Sequence, residues 1–263
     1  MMDLLTWVGW LLLPAFLLLD LVVHPRAFEA PRAWRLRGFL VTAAAFWFSL
    51  KVGEAWAALL PAATLFDLSA LGSWWGAGVG ILVYELVHYA YHRTAHTWGW
   101  LWRNSHQMHH APESLDAFGA YFLHPIDVIA FTSIGTLVAF PLLGLAPEAG
   151  ALMSAFVGFN AMFQHANLRT PRWLGYLVQR PESHGVHHAR GVHRFNYSDL
   201  PIWDIVFGTF RNPARFEGEV GFWNGASSRI GSLLLGRDVT RPTPPTAPRV
   251  RTPRPRATVT ERA

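Results

Sequence analysis

The sequence of 263 residues contains no cysteine and few charged side chains. Without cysteine, neither a disulfide framework nor a thiolate metal site can form, so a bound metal would be held by nitrogen and oxygen. Charged residues make up 15% of the chain, against roughly 25% in typical soluble domains. Apolar residues make up 51%, with 13 Trp and 18 Phe. This composition indicates a membrane protein.

Five apolar segments are candidates for crossing or entering the bilayer. The last two, joined by a turn around Pro147, could instead form a re-entrant hairpin. The first has neither a basic n-region nor a small-residue cleavage site, which predicts an anchor rather than a signal peptide. We therefore predict an all-α integral membrane bundle of about four or five membrane-embedded helices, with a cytoplasmic helical cap. The segments are residues 4–23, 38–60, 74–91, 126–145 and 148–164.

Basic residues predict how these segments are oriented. The loop after the first segment carries arginines at positions 26, 32, 35 and 37, whereas the loop after the second carries only Asp67. Because cytoplasmic loops are enriched in Lys and Arg, we expect residues 24–37, 97–125 and everything after 165 to lie inside. The Arg-rich, Cys-free, Trp-rich composition is compatible with a bacterial inner membrane. The histidines of the chain then fall on one side of the bilayer.

Short groups of histidines are the main sign of function. The spacing H-x-x-H-H occurs at 106–110 and 184–188, a third row is His88, His92 and His96, and His165 stands apart. On a helix, positions i, i+3 and i+4 share one face, so each triplet is expected to offer three imidazoles to one point. Histidine is the commonest metal ligand in proteins. So many imidazoles exceed the need of one ion and predict a two-metal centre. The lone histidines 24, 124 and 193 are interpreted as ordinary polar residues.

The ligand type limits the chemistry. Nitrogen and oxygen ligands suit Fe, Zn, Cu or Ni better than Mg or Ca. A structural zinc site uses four ligands, usually including cysteine, and eight or nine imidazoles exceed that number. Apolar surroundings favour a lipid substrate, whose unactivated C–H bond suits an oxidising iron centre. We expect carboxylates behind the ligands to orient the imidazoles; the candidates are Glu85, Asp127, Asp199 and Asp204.

The motifs around these histidines resemble those of the fatty acid hydroxylase/sterol desaturase superfamily. The resemblance extends over roughly residues 80–210, and the motifs follow the family's order. They are Tyr91-His92-Arg93-x-x-His96, Leu101-Trp102-Arg103, His106-x-x-His109-His110, His165-Ala166-Asn167, Ser183-His184-x-x-His187-His188 and Asn196-Tyr197 with Trp203-Asp204-x-x-Phe207-Gly208-Thr209.

The resemblance implies a membrane enzyme with a non-haem di-iron centre that uses O2 to hydroxylate or desaturate a lipid such as a fatty acyl, sterol-like or carotenoid molecule. Electrons would come from a separate ferredoxin- or cytochrome b5-like donor, and zinc could replace iron. Further candidates for ligation or for supporting the ligands are His88, Glu85, His124 and Asp204. The implied ligands are His92, His96, His106, His109, His110, His165, His184, His187 and His188.

The chain divides into four regions by composition. We predict N-terminal membrane helices over 1–73, the catalytic region over 74–212, an extension over 213–236 and a disordered basic tail over 237–263. The tail holds seven arginines against two acidic residues, and its prolines disfavour helix. Contact with anionic headgroups is one role for it. We expect no nucleic-acid partner, since no aromatic residues interleave the arginines.

Two other functional classes stay open from the sequence. A membrane zinc hydrolase would need fewer ligands and a general base such as Glu113. A non-catalytic metal-binding or transport protein would place ionisable groups near the bilayer midplane, whereas these histidines cluster near one interface. Ligands alone do not separate hydroxylation from desaturation, although the family resemblance favours hydroxylation.

Overall fold

The computed structural model describes residues 2–60 and 63–242, and their fold is helical. Within this part of the chain, pairing between extended segments is limited to an isolated bridge between Ala189 and Val220, which confirms the all-α prediction. The five long helices are α1 (Met2–Val22), α2 (Trp34–Leu59), α3 (Gly72–Thr97), α4 (Pro125–Leu137), which a π-helical turn extends through Val138–Leu142, and α5 (Pro147–His165).

Three of these helices are long and apolar enough to cross a membrane. They are α2, α3 with its preceding turn from Ser69, and α4 with its π-helical turn. Helix α1 contributes a shorter apolar stretch, Gly9–Val22. Large apolar side chains such as Trp47 and Trp75 are exposed on these helices, which suits contact with lipid. The chain is therefore an integral membrane protein. The two oppositely charged side chains of α2, Lys51 and Glu54, form an ion pair at 2.7 Å.

Close packing of α3 against α5 fixes the helix that carries the first histidines. A side-chain carbon at Gly80 would lie 2.7 Å from Cδ1 of Leu145, and one at Gly76 would lie 3.0 Å from Cβ of Ala149. Small residues let helix backbones approach closely inside a membrane. The two glycines therefore set the position of α3, on which His88, His92 and His96 follow.

The helix directions place the connecting segments at one end of the bundle, which we call the cap. The C-terminal ends of α3 and α5 lie at the same end of the bundle as the N-terminal end of α4. Residues 98–124 and those after 165 therefore lie at that end. The cap also includes α6 (Pro181–His188), α7 (Pro201–Val206) and α8 (Ile230–Leu234). Helices α4 to α7 each begin with proline, whose missing N–H costs nothing in a first turn.

Buried polar contacts join the N-terminal helix to the cap. The Asp20 carboxylate accepts the backbone N–H groups of Ala117 and Asn167. Arg26 in turn donates from Nε to the side-chain oxygen of Asn167 at 3.1 Å and from Nη2 to the carbonyl oxygen of Ala166 at 3.1 Å. Because Ala166 and Asn167 directly follow His165, these bonds fix the end of α5.

Residues after 236 pack against the segment that carries the first H-x-x-H-H motif. Gln107 donates to the carbonyl oxygen of Arg237 and accepts from the backbone N–H of Val239, and Val239 is buried. Ordered structure therefore continues past residue 237, where the sequence predicts a disordered tail to begin. The predicted tail from 243 to 263 lies outside the described residues.

Candidate metal centre

The histidines of α3 share one helix face. His88, His92 and His96 are spaced by four residues, and their rings lie in sequence, with centroids 5.5 Å apart for the first pair and 5.1 Å for the second. The row points toward the cap at the end of α3. The predicted i, i+4 alignment is therefore present, and it places three imidazoles side by side.

The first H-x-x-H-H motif departs from a regular helix. His106 ends a π-helical turn over Trp102–His106, and His109 and His110 lie in the following turn. A π turn adds a residue to the helical repeat, so the side chains of this motif point in more than one direction. The second motif lies on α6, where His184, His187 and His188 occupy a short α-helix, as predicted.

The nine predicted ligands form two neighbouring groups. The five-histidine group contains His92, His96, His106, His110 and His187, and the four-histidine group contains His109, His165, His184 and His188. Each H-x-x-H-H triplet is divided between them. The expectation that a triplet converges on one point is therefore wrong: the i, i+4 pair shares a group, and the remaining histidine joins the other.

Spacing within the groups suits shared coordination of an ion. The Nε2 atoms of His106 and His110 are 3.2 Å apart, those of His109 and His165 are 3.2 Å apart, and those of His165 and His184 are 3.1 Å apart. Two nitrogens that each lie about 2.1 Å from one ion at right angles would be about 3.0 Å apart. The groups are also adjacent, since the rings of His110 and His188 stack at 4.2 Å.

Unpartnered buried nitrogens test whether these residues fit metal ions. Nε2 of His92, His96, His187 and His188 makes no hydrogen bond although it is buried. Buried polar atoms are otherwise nearly always paired. Burial also lowers the pKa of His109, His110 and His184 well below the usual range, which keeps these imidazoles neutral, the form that binds metals. The residues therefore fit two metal ions with nitrogen ligands.

Contacts to the opposite ring nitrogen orient several of these imidazoles. Nδ1 of His92 lies 2.7 Å from the carbonyl oxygen of Tyr197, and Nδ1 of His187 lies 2.7 Å from that of Phe195. Nδ1 of His165 lies 2.8 Å from the carbonyl oxygen of Ala161. Such partners fix the ring orientation and leave Nε2 for a metal.

Two side chains support the five-histidine group in the same way. Nδ1 of His106 lies 2.9 Å from Oδ2 of Asp127, so this predicted support residue is in place. Nδ1 of His110 lies 3.1 Å from Nδ1 of His193, a contact that the sequence does not predict. Burial lowers the pKa of His193 to about 4, so this imidazole is neutral beside the group.

A loop over residues 193–199 supplies the carbonyl groups, and Asp204 holds it. Phe195 and Asn196 have φ values of 72° and 50°, in the left-handed region that non-glycine residues seldom adopt. Asp204 accepts the backbone N–H of Tyr197 at 2.8 Å and that of Ser198 at 2.9 Å. Asp204 therefore contacts no histidine group and acts on His92 and His187 through this loop.

A third buried group lies beside the first two. We call it the carboxylate group; it contains Glu85, His88 and Asp199, whose candidate ligand atoms lie within 4.8 Å of one another. His88 stacks on His92. Burial, reinforced by the charge of Glu85, raises the pKa of Asp199 to about 7. The predicted candidates Glu85 and His88 are therefore next to the centre but outside both histidine groups.

Two other predicted residues have local roles. His124 caps the N-terminus of α4, where its Nδ1 accepts the backbone N–H of Ile126 at 3.1 Å, and none of the three groups includes it. Glu113 accepts hydrogen bonds from the backbone of Gly225 and Ser227 and from the Ser227 hydroxyl. Both carboxylate oxygens of Glu113 are therefore occupied in joining the extension to the cap.

A largely apolar cavity of about 120 Å³ opens onto both histidine groups. Its polar wall includes His92, His106, His109 and Asp199, and its apolar wall includes Phe131. A groove of about 530 Å³ between α1, α2, α4 and α5 shares wall residues with it. The residues that line both are Ser49, Tyr84, Tyr121, Phe131, Thr132 and Val157.

Comparison with known proteins assigns the chain to a family. The family model described as fatty acid hydroxylase matches residues 77–209, a range that contains all nine histidines. The chain belongs to the fatty acid hydroxylase family. This confirms the resemblance to the fatty acid hydroxylase/sterol desaturase superfamily that the motifs carry.

The similarity of individual relatives to this fatty acid hydroxylase family member extends over about half of the chain. Very-long-chain aldehyde decarbonylase GL1-9 of Oryza sativa subsp. indica is 28% identical over 50% of this chain and 52% of its own. Sphinganine C4-monooxygenase 1 of Arabidopsis thaliana is 26% identical over 49% of this chain and 52% of its own length. Ornithine lipid hydroxylase OlsE of Rhizobium tropici is 30% identical over 52% of this chain and 42% of its own length. The chain thus spans about half the length of these relatives, and no solved structure matches it.

Proposed function

We propose that this chain is a membrane-bound, O2-dependent lipid hydroxylase whose nine histidines hold two iron ions. The observation that carries the proposal is the division of the nine imidazoles into adjacent groups of five and four, which share one apolar cavity. A single metal cannot use nine nitrogens, and two metals with four or five each keep positions for other ligands.

Nitrogen ligands without thiolate suit iron, although they also accept zinc. When bound, the iron pair would supply the oxidising chemistry that inserts an oxygen atom from O2 into a C–H bond, with electrons from a separate ferredoxin- or cytochrome b5-like donor. His92, His96, His106, His110 and His187 would hold one ion, and the four-histidine group would hold the other.

The protein's own residues orient the ligands and exclude water. Tyr197, Phe195 and Asp127 fix three imidazoles through Nδ1, which leaves Nε2 directed at the ion. The apolar wall of the cavity, with Leu123 and Phe131 among its residues, keeps water away from the oxidising site and suits a hydrocarbon chain.

The substrate is a long-chain lipid that enters from the bilayer. The groove between α1, α2, α4 and α5 shares wall residues with the cavity, so an acyl chain could follow it to the histidines. The names of two relatives, sphinganine C4-monooxygenase and ornithine lipid hydroxylase, describe the hydroxylation of lipids. They support hydroxylation over desaturation.

The cap and the C-terminus face the cytoplasm in this proposal. The bonds of Asp20 and Arg26 to the segment after His165 place the arginine-rich loop after α1 at the cap end. Because basic loops stay inside, that end is cytoplasmic, where soluble electron donors are available. A bacterial inner membrane fits this arrangement.

Neither alternative class fits the geometry as well. A zinc hydrolase that used Glu113 as its general base is disfavoured, because both oxygens of Glu113 are occupied. A metal transporter would place its ligands along a polar path through the membrane, whereas the cavity beside the ligands is lined mainly by apolar residues.

Lipid mass spectrometry under labelled O2 tests the function. The chain or its His187→Ala variant would be expressed in cells together with a ferredoxin and a cytochrome b5 system, and total lipids would be compared. We expect one lipid class to gain a single labelled oxygen only with the intact chain. Loss of two hydrogens without label would show a desaturase, and identical lipids in iron-replete cells would contradict the proposal.

A further inference from the structure

The carboxylate group is a polar patch in a mainly apolar cavity. Glu85 is 0% exposed, Asp199 is 3% exposed and His88 is 7% exposed. His88 and Asp199 line the cavity together with Leu123, Val128 and Phe131. Buried charged groups are normally paired with an opposite charge or with hydrogen-bond donors, because an unpaired buried charge costs free energy.

Some acceptor atoms of the group are used and others are free. Oε2 of Glu85 accepts the backbone N–H of Asp199 at 2.8 Å and that of Leu200 at 3.3 Å. Oδ1 of Asp199 accepts from the Gln164 amide at 2.9 Å. Oε1 of Glu85 and Nδ1 of His88 are buried without a partner, and the described hydrogen bonds do not use the second Asp199 oxygen. Three acceptors are therefore left over.

No basic side chain balances these two carboxylates within residues 2–60 and 63–242. The ion pairs there that contain arginine or lysine join Lys51 to Glu54, Arg180 to Glu182 and Arg190 to Glu219. The nearest candidate is His88, whose Nδ1 is 3.8 Å from Oε2 of Glu85. A buried pair of carboxylates without a basic partner favours a cationic ligand.

The spacing of the carboxylate group suits a primary ammonium group. An ammonium nitrogen with acceptors about 2.8 Å away in tetrahedral directions separates them by about 4.6 Å, and the candidate atoms of the carboxylate group lie within 4.8 Å of one another, as do those of each histidine group. A primary ammonium has three N–H donors for the three free acceptors.

The cavity determines which molecule would carry this ammonium. It shares its wall with the groove between α1, α2, α4 and α5, so a ligand that reaches the carboxylate group also extends along apolar surface. His88 stacks on His92 of the five-histidine group with centroids 5.5 Å apart, so the ammonium lies close to the metal centre.

We propose that Glu85, His88 and Asp199 bind the primary ammonium group of a long-chain lipid substrate, and that the carbon which is oxidised lies within a few bonds of the amine. This rests on the proposed function, since it names the substrate class of the same site. The carboxylate group then sets the specificity, and the groove holds the alkyl chain.

Binding of simple long-chain probes tests the assignment without turnover. Metal-loaded protein in phosphatidylcholine nanodiscs, without an electron donor, would be titrated with dodecylamine, dodecyltrimethylammonium and dodecanol by calorimetry, with empty nanodiscs as the blank. Three charge-assisted hydrogen bonds predict that dodecylamine binds at least about tenfold more tightly than the other two. The trimethylammonium probe has the charge without N–H donors, so it separates hydrogen bonding from attraction to the membrane.

Isosteric variants localise the effect. Glu85→Gln and Asp199→Asn should each abolish the preference for dodecylamine, whereas Glu54→Gln, a change at an exposed carboxylate, should keep it. Equal binding of all three probes, or an unchanged preference in both variants, would overturn the assignment. A third metal ion that disappears in Glu85→Gln would show a metal site instead. A chain that prefers dodecylamine yet oxidises no lipid would contradict only the proposed function.

Discussion

Nδ1 of His106 lies 2.9 Å from Oδ2 of Asp127, although the two residues come from different elements. The carboxylate also accepts the Tyr91 hydroxyl at 2.6 Å and the Ser105 hydroxyl through Oδ1. Asp127 is fully buried. It therefore joins α3, the π-helical turn over Trp102–His106 and α4 next to His106 of the five-histidine group.

Replacing this carboxylate should weaken metal binding. Asp127→Ala removes the group that orients His106, and losing such a supporting contact lowers metal affinity by about 10- to 100-fold. Competition with a chelator would measure the change for each bound ion. The exposed Asp67→Ala serves as the control; an affinity in Asp127→Ala equal to that of the control would contradict the role.

Asp204 should affect the two ions unequally. Asp204→Asn places an amide N–H group against the backbone N–H of Tyr197 or Ser198, which disturbs the loop that orients His92 and His187. Both histidines belong to the five-histidine group. We expect roughly tenfold weaker binding of one ion and little change in the other, as measured by stepwise metal titration. A uniform loss of both would contradict a local effect.

The metal-free protein should lose stability as the pH falls. Burial lowers the pKa of His193 from 6.5 to about 4 and that of His109, His187 and His188 well below 6.5. Between pH 6.5 and 4 the unfolded chain binds protons that the folded chain does not, so stability decreases with falling pH in this window. Thermal unfolding of metal-free protein from pH 7.5 to 5 checks this. A flat profile, or greater stability at pH 5, would show that these imidazoles are solvated.

Deleting residues 243–263 should leave metal binding and turnover largely intact. The contacts of Gln107 with Arg237 and Val239 stay in place in this truncation, whereas a deletion from residue 237 would remove them. A chain ending at residue 242 is therefore compared with one ending at residue 236. Loss of activity in the shorter deletion would assign the basic segment a role beyond contact with headgroups.

The sequence identifies the histidines that come together but not how they divide into two groups. The histidine spacings and the family motifs identify nine residues, and the structure brings all nine together. Spacing alone treats each H-x-x-H-H triplet as one helical face. Both triplets are divided in the same way, with the i, i+4 pair in one group and the third histidine in the other, although the second triplet lies on a regular α-helix. The division therefore depends on how the histidine-bearing segments pack against one another, which spacing does not show.

Residues that support the ligands were harder to predict. The sequence predicts Asp127 as a carboxylate that orients a ligand imidazole, but it presents His193 as a lone histidine. The carbonyl groups of Phe195 and Tyr197 carry no side-chain signature. Their role depends on a loop with positive φ at Phe195 and Asn196. The one available signal was Asn196, because asparagine tolerates the left-handed region better than most residues.

Membrane segments followed from composition, with differences in extent. Residues 38–60, 74–91 and 126–145 correspond to helices that can span. Helix α1 covers the first predicted segment almost completely, and whether α1 and α5 cross the bilayer stays a prediction. Hydropathy registers length and polarity, whereas packing such as that of Gly76 and Gly80 against α5 depends on contacts that the sequence does not display.

Metal stoichiometry tests the central claim most directly. Purified intact chain, His187→Ala and His109→Ala would be analysed by inductively coupled plasma mass spectrometry, with total iron and zinc counted because zinc competes for nitrogen sites. The exposed His24→Ala is the control. We predict two ions per chain in the intact protein and the control, and one in each of the other variants. One ion in the intact chain, or two ions retained in both variants, would contradict the two-group centre.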